Sequence, residues 1–153
     1  MEEIIINEAR TKDLPLVEEI FKDEVYKFTR DRTSIKLQNP NWKILLARYN
    51  GEIAGIITMT TIKYSPGVRS IDVVQVIEGF RRNGIARALV QGIEALVVLE
   101  NKHLFLGAKV APIYKRDPSG KETREENMAS KNLLLSEGFT YDSMDATYYK
   151  RIN

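Results

Sequence analysis

The 153-residue chain contains no cysteine and a single histidine, His103. The first absence removes disulfides, thiolate metal sites and a cysteine nucleophile. The second removes any multi-histidine metal cluster, so no metal is expected. A Ser–His pair would need a Gly-x-Ser-x-Gly elbow, which the sequence lacks. His103 precedes the apolar run Leu104-Phe105-Leu106 and reads as a structural residue at a helix-to-strand junction. No apolar run is long enough to span a bilayer, so no membrane partner is expected. Met1-Glu2-Glu3-Ile4 lacks the basic and apolar regions of a signal peptide, and a mature cytoplasmic chain is expected. Excess charge of one sign is also lacking. The net charge is +2, and basic residues alternate with acidic ones, as in Lys121-Glu122-Thr123-Arg124-Glu125-Glu126. Without a basic stripe, no nucleic-acid partner is expected.

What is present is a chain of the length of one compact domain, and residues 1–153 are read as one. Ile4 to Ile6 is a short β-branched run and the first predicted strand. Asp13 is placed to cap a first helix, with Pro15 in its first turn and Leu16, Val17, Ile20, Phe21 and Val25 at helical spacing to about Lys27. A short helix over Asp31–Gln38 is ended by Asn39-Pro40. Trp42–Tyr49 and Ile53–Ile62 read as strands joined at Asn50-Gly51, a pair suited to the positive φ angles of a tight hairpin. Ser65-Pro66-Gly67 predicts a turn and Val68–Ile77 a strand.

A helix from Gly84 to Glu100 presents Ile85, Leu89, Ile93, Leu96 and Val97 on one face. Leu104–Val110 is the next predicted strand, and the polar stretch Ala111–Glu126, with Asp117-Pro118-Ser119-Gly120, a loop. A helix over Asn127–Glu137 is closed by Gly138. Phe139–Asp142 and Ala146–Ile152 form a final strand pair. This order predicts an α/β fold, a mixed sheet flanked by helices. Its ligand site belongs at the carboxyl ends of strands, where the topology switches.

One such place stands out. Val73 to Ala86 runs strand, tight turn, helix, with Gly84 and the small Ala86 allowing a close turn. Backbone N–H groups of such a turn, together with a helix N-terminus, can converge on an anion. Arg81, Arg82 and Arg87 add positive charge. The residues alone leave two readings open: a pyrophosphate cradle, or an ordinary strand-to-helix joint with a solvated basic face. A Walker A loop and a Gly-x-Gly-x-x-Gly turn are both excluded by the spelling of the segment.

The segment resembles the signature of the GNAT superfamily of N-acetyltransferases, with Arg81, Gly84 and Ala86 at the signature places after a Val-rich strand and Phe80. Asn127 with Ala129, followed by Gly138-Phe139, resembles the second recognisable stretch of that family. The resemblance covers nearly the whole chain. It implies a mostly antiparallel central sheet of six to seven strands flanked by about four helices, splayed between the motif strand and the strand after it. It implies acetyl-CoA as co-substrate, held by the turn Arg81, Arg82, Asn83, Gly84, Ile85 and Ala86, by backbone groups of Val74 and Val76, and by Asn127. It implies direct attack by a primary amine of a small molecule or peptide, with the backbone N–H of Val76 as oxyanion donor. Where family members carry a Tyr that protonates the leaving thiolate, this chain has Leu134. Tyr141, Tyr148, Tyr149 and Ser130 are the candidate substitutes, Tyr141 being carried forward.

Strand alternation groups Asp72, Val74, Val76 and Glu78 on one face, which ranks Glu78 first and Asp72 second as general base. Glu24 is a candidate for the acceptor site, and the loop 111–126 is expected to shape it. An acyl-CoA sensor or partner-binding domain with weak or no catalysis is the alternative reading. A homodimer is expected from the exposed strand edges.

Overall fold

The computed structural model describes residues 3–21, 43–62, 65–110 and 113–153. The predicted helix over Asp31–Gln38, the far end of the first helix, Glu24 and Trp42 lie outside the described residues. Nine strands and three α-helices are described: β1 Ile4–Glu8, α1 Leu14–Phe21, β2 Lys43–Tyr49, β3 Glu52–Ile62, β4 Ser65–Val76, α2 Ile85–Glu100, β5 Phe105–Ala108, β6 Ile113–Arg116, β7 Glu122–Glu125, α3 Met128–Ser136, β8 Thr140–Asp142 and β9 Thr147–Arg151. The main sheet has seven strands in the order β1-β2-β3-β4-β5-β9-β8. Among the described pairs only β4–β5 is parallel, and the chain crosses from one to the other through α2. The sheet is as expected, and the described helices are three where about four were expected.

Asn50 and Gly51 take φ of 49° and 89°, the left-handed pair that a two-residue hairpin turn requires. Three local expectations are corrected. Ser65-Pro66-Gly67 belongs to β4, with Ser65 paired to Ile62 at the sheet margin, where a proline removes no central ladder bond. Asp13 does not cap α1. It lies in a short 3-10 turn before the helix, accepts the Arg10 N–H at 2.8 Å and pairs with Arg48 at 3.6 Å. Leu16 is half exposed, and among the described side chains of α1 Leu14 and Val17 are buried.

The predicted loop over 111–126 contains a hairpin, β6 and β7. The Asp-Pro-Ser-Gly stretch is its tip. Asp117 Oδ1 accepts from the backbone N–H groups of Ser119 and Lys121, each at 2.9 Å, and Gly120 takes φ of 85°. The strands escaped detection because β7 is fully exposed and so carries no apolar alternation.

Each face of the main sheet has its own core. On one face Leu45, Ala47, Ile57, Met59, Ile71 and Leu106 pack beneath Ile85, Leu89, Ile93 and Val97 of α2 and Leu134 of α3. On the other, Ile44, Leu46, Ile53 and Ile56 pack with Val17 of α1. Burial of each large aliphatic side chain contributes about 1.5–3 kcal/mol.

Polar ties fix the far end of α2. Arg69 of β4 is 1% exposed and forms a fork with both carboxylate oxygens of Glu100, the shortest contact being 3.0 Å. Lys150 of β9 donates to both Glu94 oxygens at 3.0 Å and to the Glu137 carbonyl at 2.6 Å, joining α2 to the end of α3.

His103 lies buried next to this ion pair, with its Nδ1 unpartnered, as a structural histidine at the junction before β5. Burial lowers its pKa below the ordinary value, and the Arg69 guanidinium lowers it further against the opposing pull of Glu100. A histidine with a depressed folded pKa binds fewer protons folded than unfolded. Its contribution to stability is therefore complete above the unfolded value of about 6.5 and is lost as pH falls through the folded value. Urea midpoints should thus fall on going from pH 7.5 to pH 5.5. A smaller fall in His103→Asn, measured in the same buffers, checks the assignment.

Candidate active site

The site is built where β4 changes partners. Its first half pairs with β3 on one side and β5 on the other, and the last β4–β5 pair is Ile71 with Ala108. The β3 register then shifts: Ile71 faces Met59 and Val73 faces Thr58, so Asp72 is an extra, bulged residue. A bulge bends its strand and sharpens the local twist. From Asp72 onward no strand pairs with β4 on the β5 side among the described residues. This is the expected splay.

The ladder decides which groups the splay exposes. The Ile77 N–H donates to the Ala54 carbonyl at 2.8 Å, with Gly55 opposite Val76. Alternation along an antiparallel pair then directs the N–H and C=O of Val76 and Val74 away from β3, into the opening. The bulge also corrects the predicted face. Val74 and Val76 share the α2 side with Ile71, while Val73 and Ile77 pack on the α1 side. Asp72, exposed and extra in the register, falls out of the alternation that was to group it with Val74, Val76 and Glu78.

After β4 comes a 3-10 turn, Glu78–Phe80, and then the turn into α2. Arg82 and Gly84 take φ of 69° and 75°. A Cβ on Gly84 would meet nothing within 4 Å, so the glycine serves backbone conformation and not close packing. Asn83 Nδ2 donates to the Phe80 carbonyl at 3.0 Å and pins the turn. Arg81 Nε reaches the Val76 carbonyl at 3.4 Å. The first backbone bond of the helix is Ala88 N–H to Gly84 C=O at 3.0 Å. The N–H groups of Ile85, Ala86 and Arg87 therefore have no partner within the helix. The cluster of amides, the positive helix end and the exposed Arg81 and Arg82 suit a phosphate-sized anion.

Several sequence-predicted residues are placed differently from one another. Ile85 offers only its backbone, because its side chain is 2% exposed in the core. Arg87 is turned to α3, with Nε 2.9 Å from Glu137 Oε1 and Nη2 donating to Ser136. Its charge is thereby committed locally. Asn127 caps α3, its Oδ1 accepting the Ser130 N–H at 3.1 Å. Leu134 is 5% exposed within the core. Glu78 is exposed two residues beyond Val76. Tyr141 is half exposed and stands on the outer strand β8, opposite Tyr148, which in turn stands opposite Ala108. Two strand spacings, about 10 Å, thus separate Tyr141 from the end of β5. Its ring centre lies 5.0 Å from that of Tyr148. Tyr149 donates to Asp145 and is committed there. The bulge at Asp72 was not foreseen, and no sequence signal such as glycine or proline marks it.

A family model described as the acetyltransferase (GNAT) family matches residues 6–115. The chain belongs to the GNAT family. It is an acyltransferase. A ribosomal-protein-S18-alanine N-acetyltransferase from Escherichia coli superposes with a TM-score of 0.70 at 16% identity, over 99% of this chain and 95% of its own. A GNAT acetyltransferase from Streptococcus pneumoniae gives 0.71 at 19% identity, over 99% and 100%. A GNAT acetyltransferase from Elizabethkingia anophelis with acetyl-CoA bound gives 0.63 at 17% identity, over 92% and 78%. At these identities the likeness is one of fold. No match is found among curated proteins.

The turn is held in place from below by Gly55. A Cβ there would come within 3.0 Å of Ile85 Cγ2 and 3.1 Å of both Leu89 Cδ1 and the Gln75 carbonyl. Gly55→Ala requires Ile85, Leu89 and the Gln75 carbonyl to give way by a few tenths of an ångström, with an expected cost of about 1–3 kcal/mol. Urea denaturation monitored by circular dichroism measures it.

Proposed function

We propose that residues 1–153 act as a single N-acetyltransferase domain that passes an acetyl group from acetyl-CoA to a primary amine. Attack is direct, within a ternary complex. The observation that carries this reading is the open edge of β4 beside an anion-binding turn: outward-facing backbone groups at Val74 and Val76, and unpaired amides at the start of α2. These fit an acyl-CoA by the chemistry of its parts. The amides of Arg82 to Ala86 and the Arg81 and Arg82 side chains would hold the pyrophosphate. The β4 edge and Asn127 would hold the amide-bearing arm, which binds as an added strand.

Acetyl-CoA, when bound, supplies an acyl group activated as a thioester. The protein's tasks are then to position the amine, remove its proton and stabilise developing charge. The Val76 N–H faces the opening and donates to the acyl oxygen, stabilising the negative charge that grows there. Glu78 takes the amine proton, directly or through water. The displacement of Asp72 from the Val74–Val76 face favours Glu78 over it. A departing thiol has a pKa of about 8.5, so a proton donor aids its release without being indispensable. Such a requirement suits a chain with buried Leu134 in α3 and with Tyr141 set back on β8.

Isothermal calorimetry tests the donor. Acetyl-CoA should bind with one-to-one stoichiometry, and Arg82→Glu should weaken binding about ten-fold, or ~1.4 kcal/mol. Absence of binding to the wild-type protein would remove the proposal.

The base is tested by turnover. Glu78→Gln should lower kcat by about 10²–10⁴, with the acetyl-CoA Kd unchanged. A kcat equal to that of wild type would return the role to water.

A further inference from the structure

β1 is an edge of the main sheet, and it carries none of the devices that keep such edges apart. Its residues, Ile4 to Glu8, include three isoleucines and neither lysine nor proline, and its register with β2 is unshifted from end to end. The opposite edge, β8, is only three residues long. The ladder fixes which groups β1 leaves outward. The Ala9 N–H donates to the Ile44 carbonyl at 2.9 Å, and the Asn50 N–H to the Glu3 carbonyl at 3.0 Å, so the odd-numbered residues exchange bonds with β2. The N–H and C=O of Ile4, Ile6 and Glu8 therefore point away from the sheet. Among the described residues no strand meets them.

Apolar surface flanks this edge on both faces. On the α2 face Ile6 sits beneath Gly92, where a Cβ would come within 3.1 Å of Ile6 Cγ2. Leu99, seven residues further and so on the same side of the helix, is 82% exposed. On the α1 face Ile5 is 41% exposed, in a recess that it lines together with Asn7, Arg10 and Lys12. We propose that β1 pairs antiparallel with β1 of a second copy of this chain, across a two-fold axis at Ile6, and joins the two sheets into one. The inference stands apart from the acetyl-transfer reading.

Self-complementarity argues for a second copy. A two-fold pairing sets residue i against j and j against i. With Ile6 on the axis, Ile4 meets the partner's Glu8, Ile6 meets the partner's Ile6, and Glu8 meets the partner's Ile4. This register matches all three outward residues of each strand, in three bonded pairs that each exchange two hydrogen bonds. Centring on Ile5 or Asn7 would match only two. The charges select the same register. It sets Glu3 opposite the partner's Ala9 and beside the partner's Arg10, and the symmetry repeats the contact. Glu3 and Arg10 are both exposed, and among the described residues neither side chain has a partner. By alternation Glu3 shares the face of Ile5, whose recess Arg10 lines. Centring on Ile5 would instead set Glu3 against Asn7, which offers no charge. The opening of β4 lies three strand spacings from β1, about 14 Å, so each copy keeps a complete site.

Sedimentation equilibrium of the full chain from about 1 to 100 μM is the test, because mass action makes a dimer depend on concentration. Wild type should pass from the mass of one chain to the mass of two. Glu8→Pro removes one outward N–H and leaves the bonds to β2 in place, and it should weaken the dimer about ten-fold. Glu8→Ala, which keeps the N–H, should behave as wild type. Glu3→Arg and Arg10→Glu should each weaken the dimer about ten-fold, and the double variant should restore it, because the exchange rebuilds both ion pairs. Circular dichroism checks that every variant is folded. A wild-type chain that is monomeric at about 100 μM overturns the proposal. So does a dimer indifferent to Glu8→Pro and to both charge reversals. A folded double variant that dimerises no more tightly than the single ones overturns it as well.

Discussion

Everything at the cleft depends on β4 losing a neighbour halfway along. Through Ile71 the strand is held on both sides, and at the next residue the bulge at Asp72 breaks the register with β3 while the pairing with β5 ends. A continuous sheet would satisfy the backbone groups of Val74 and Val76 internally and leave nothing to bind with. A sheet that simply stopped would leave them without a rigid backing. The bulge gives an opening with one firm wall, because β3 continues to pair with β4 as far as Val76. The backbone polar groups left in such an opening must be met by solvent or by a ligand.

The same economy governs α2. Its N-terminus contributes unpaired amides to the site, while Ile85 and Leu89 in its first turns are buried against Gly55. Site and core therefore share residues. Seating Ile85 sets the height of the turn above the sheet, and the absence of a side chain at Gly55 permits that height. At the other end, the Arg69–Glu100 fork ties α2 back to β4, the strand that opens. A buried guanidinium is costly unless paired, so this tie contributes more to holding one geometry than to net stability. The helix is thus seated on β3 at its first turns and tied at its far end to β4, the strand whose opening it borders.

The sequence made much of this readable where local chemistry is strict. Asn50-Gly51 demanded its turn, and Gly84 demanded positive φ. The repeat of Ile85, Leu89, Ile93 and Val97 put α2 on the sheet. The seven-stranded sheet and its splay followed from resemblance to the GNAT family. What stayed hidden had no local signature. The Asp72 bulge is carried by ordinary strand residues and lies where the register with β3 shifts, so alternation counted through it does not hold for Asp72. β7 is exposed along its length and has no apolar face, so apolar periodicity reads the stretch as loop. Arg87 looked like part of a cationic turn, but a carboxylate 50 positions along the chain, Glu137, claims it at 2.9 Å.

These failures share a cause that also bears on specificity. The elements legible from sequence present backbone groups to the cleft: amides at 82–86, and the edge of β4. Such groups bind phosphate and amide alike in any chain with this backbone, so they account for the donor side of the site and carry no choice of acceptor. Selection must come from features added around the opening. Among the described residues the β6–β7 arm is one such feature: the chain leaves the sheet after β5, turns at Asp117 and returns to the cap of α3, so the root of the arm flanks the opening. Side chains carried on such an arm, unlike the backbone of β4, can distinguish one acceptor from another.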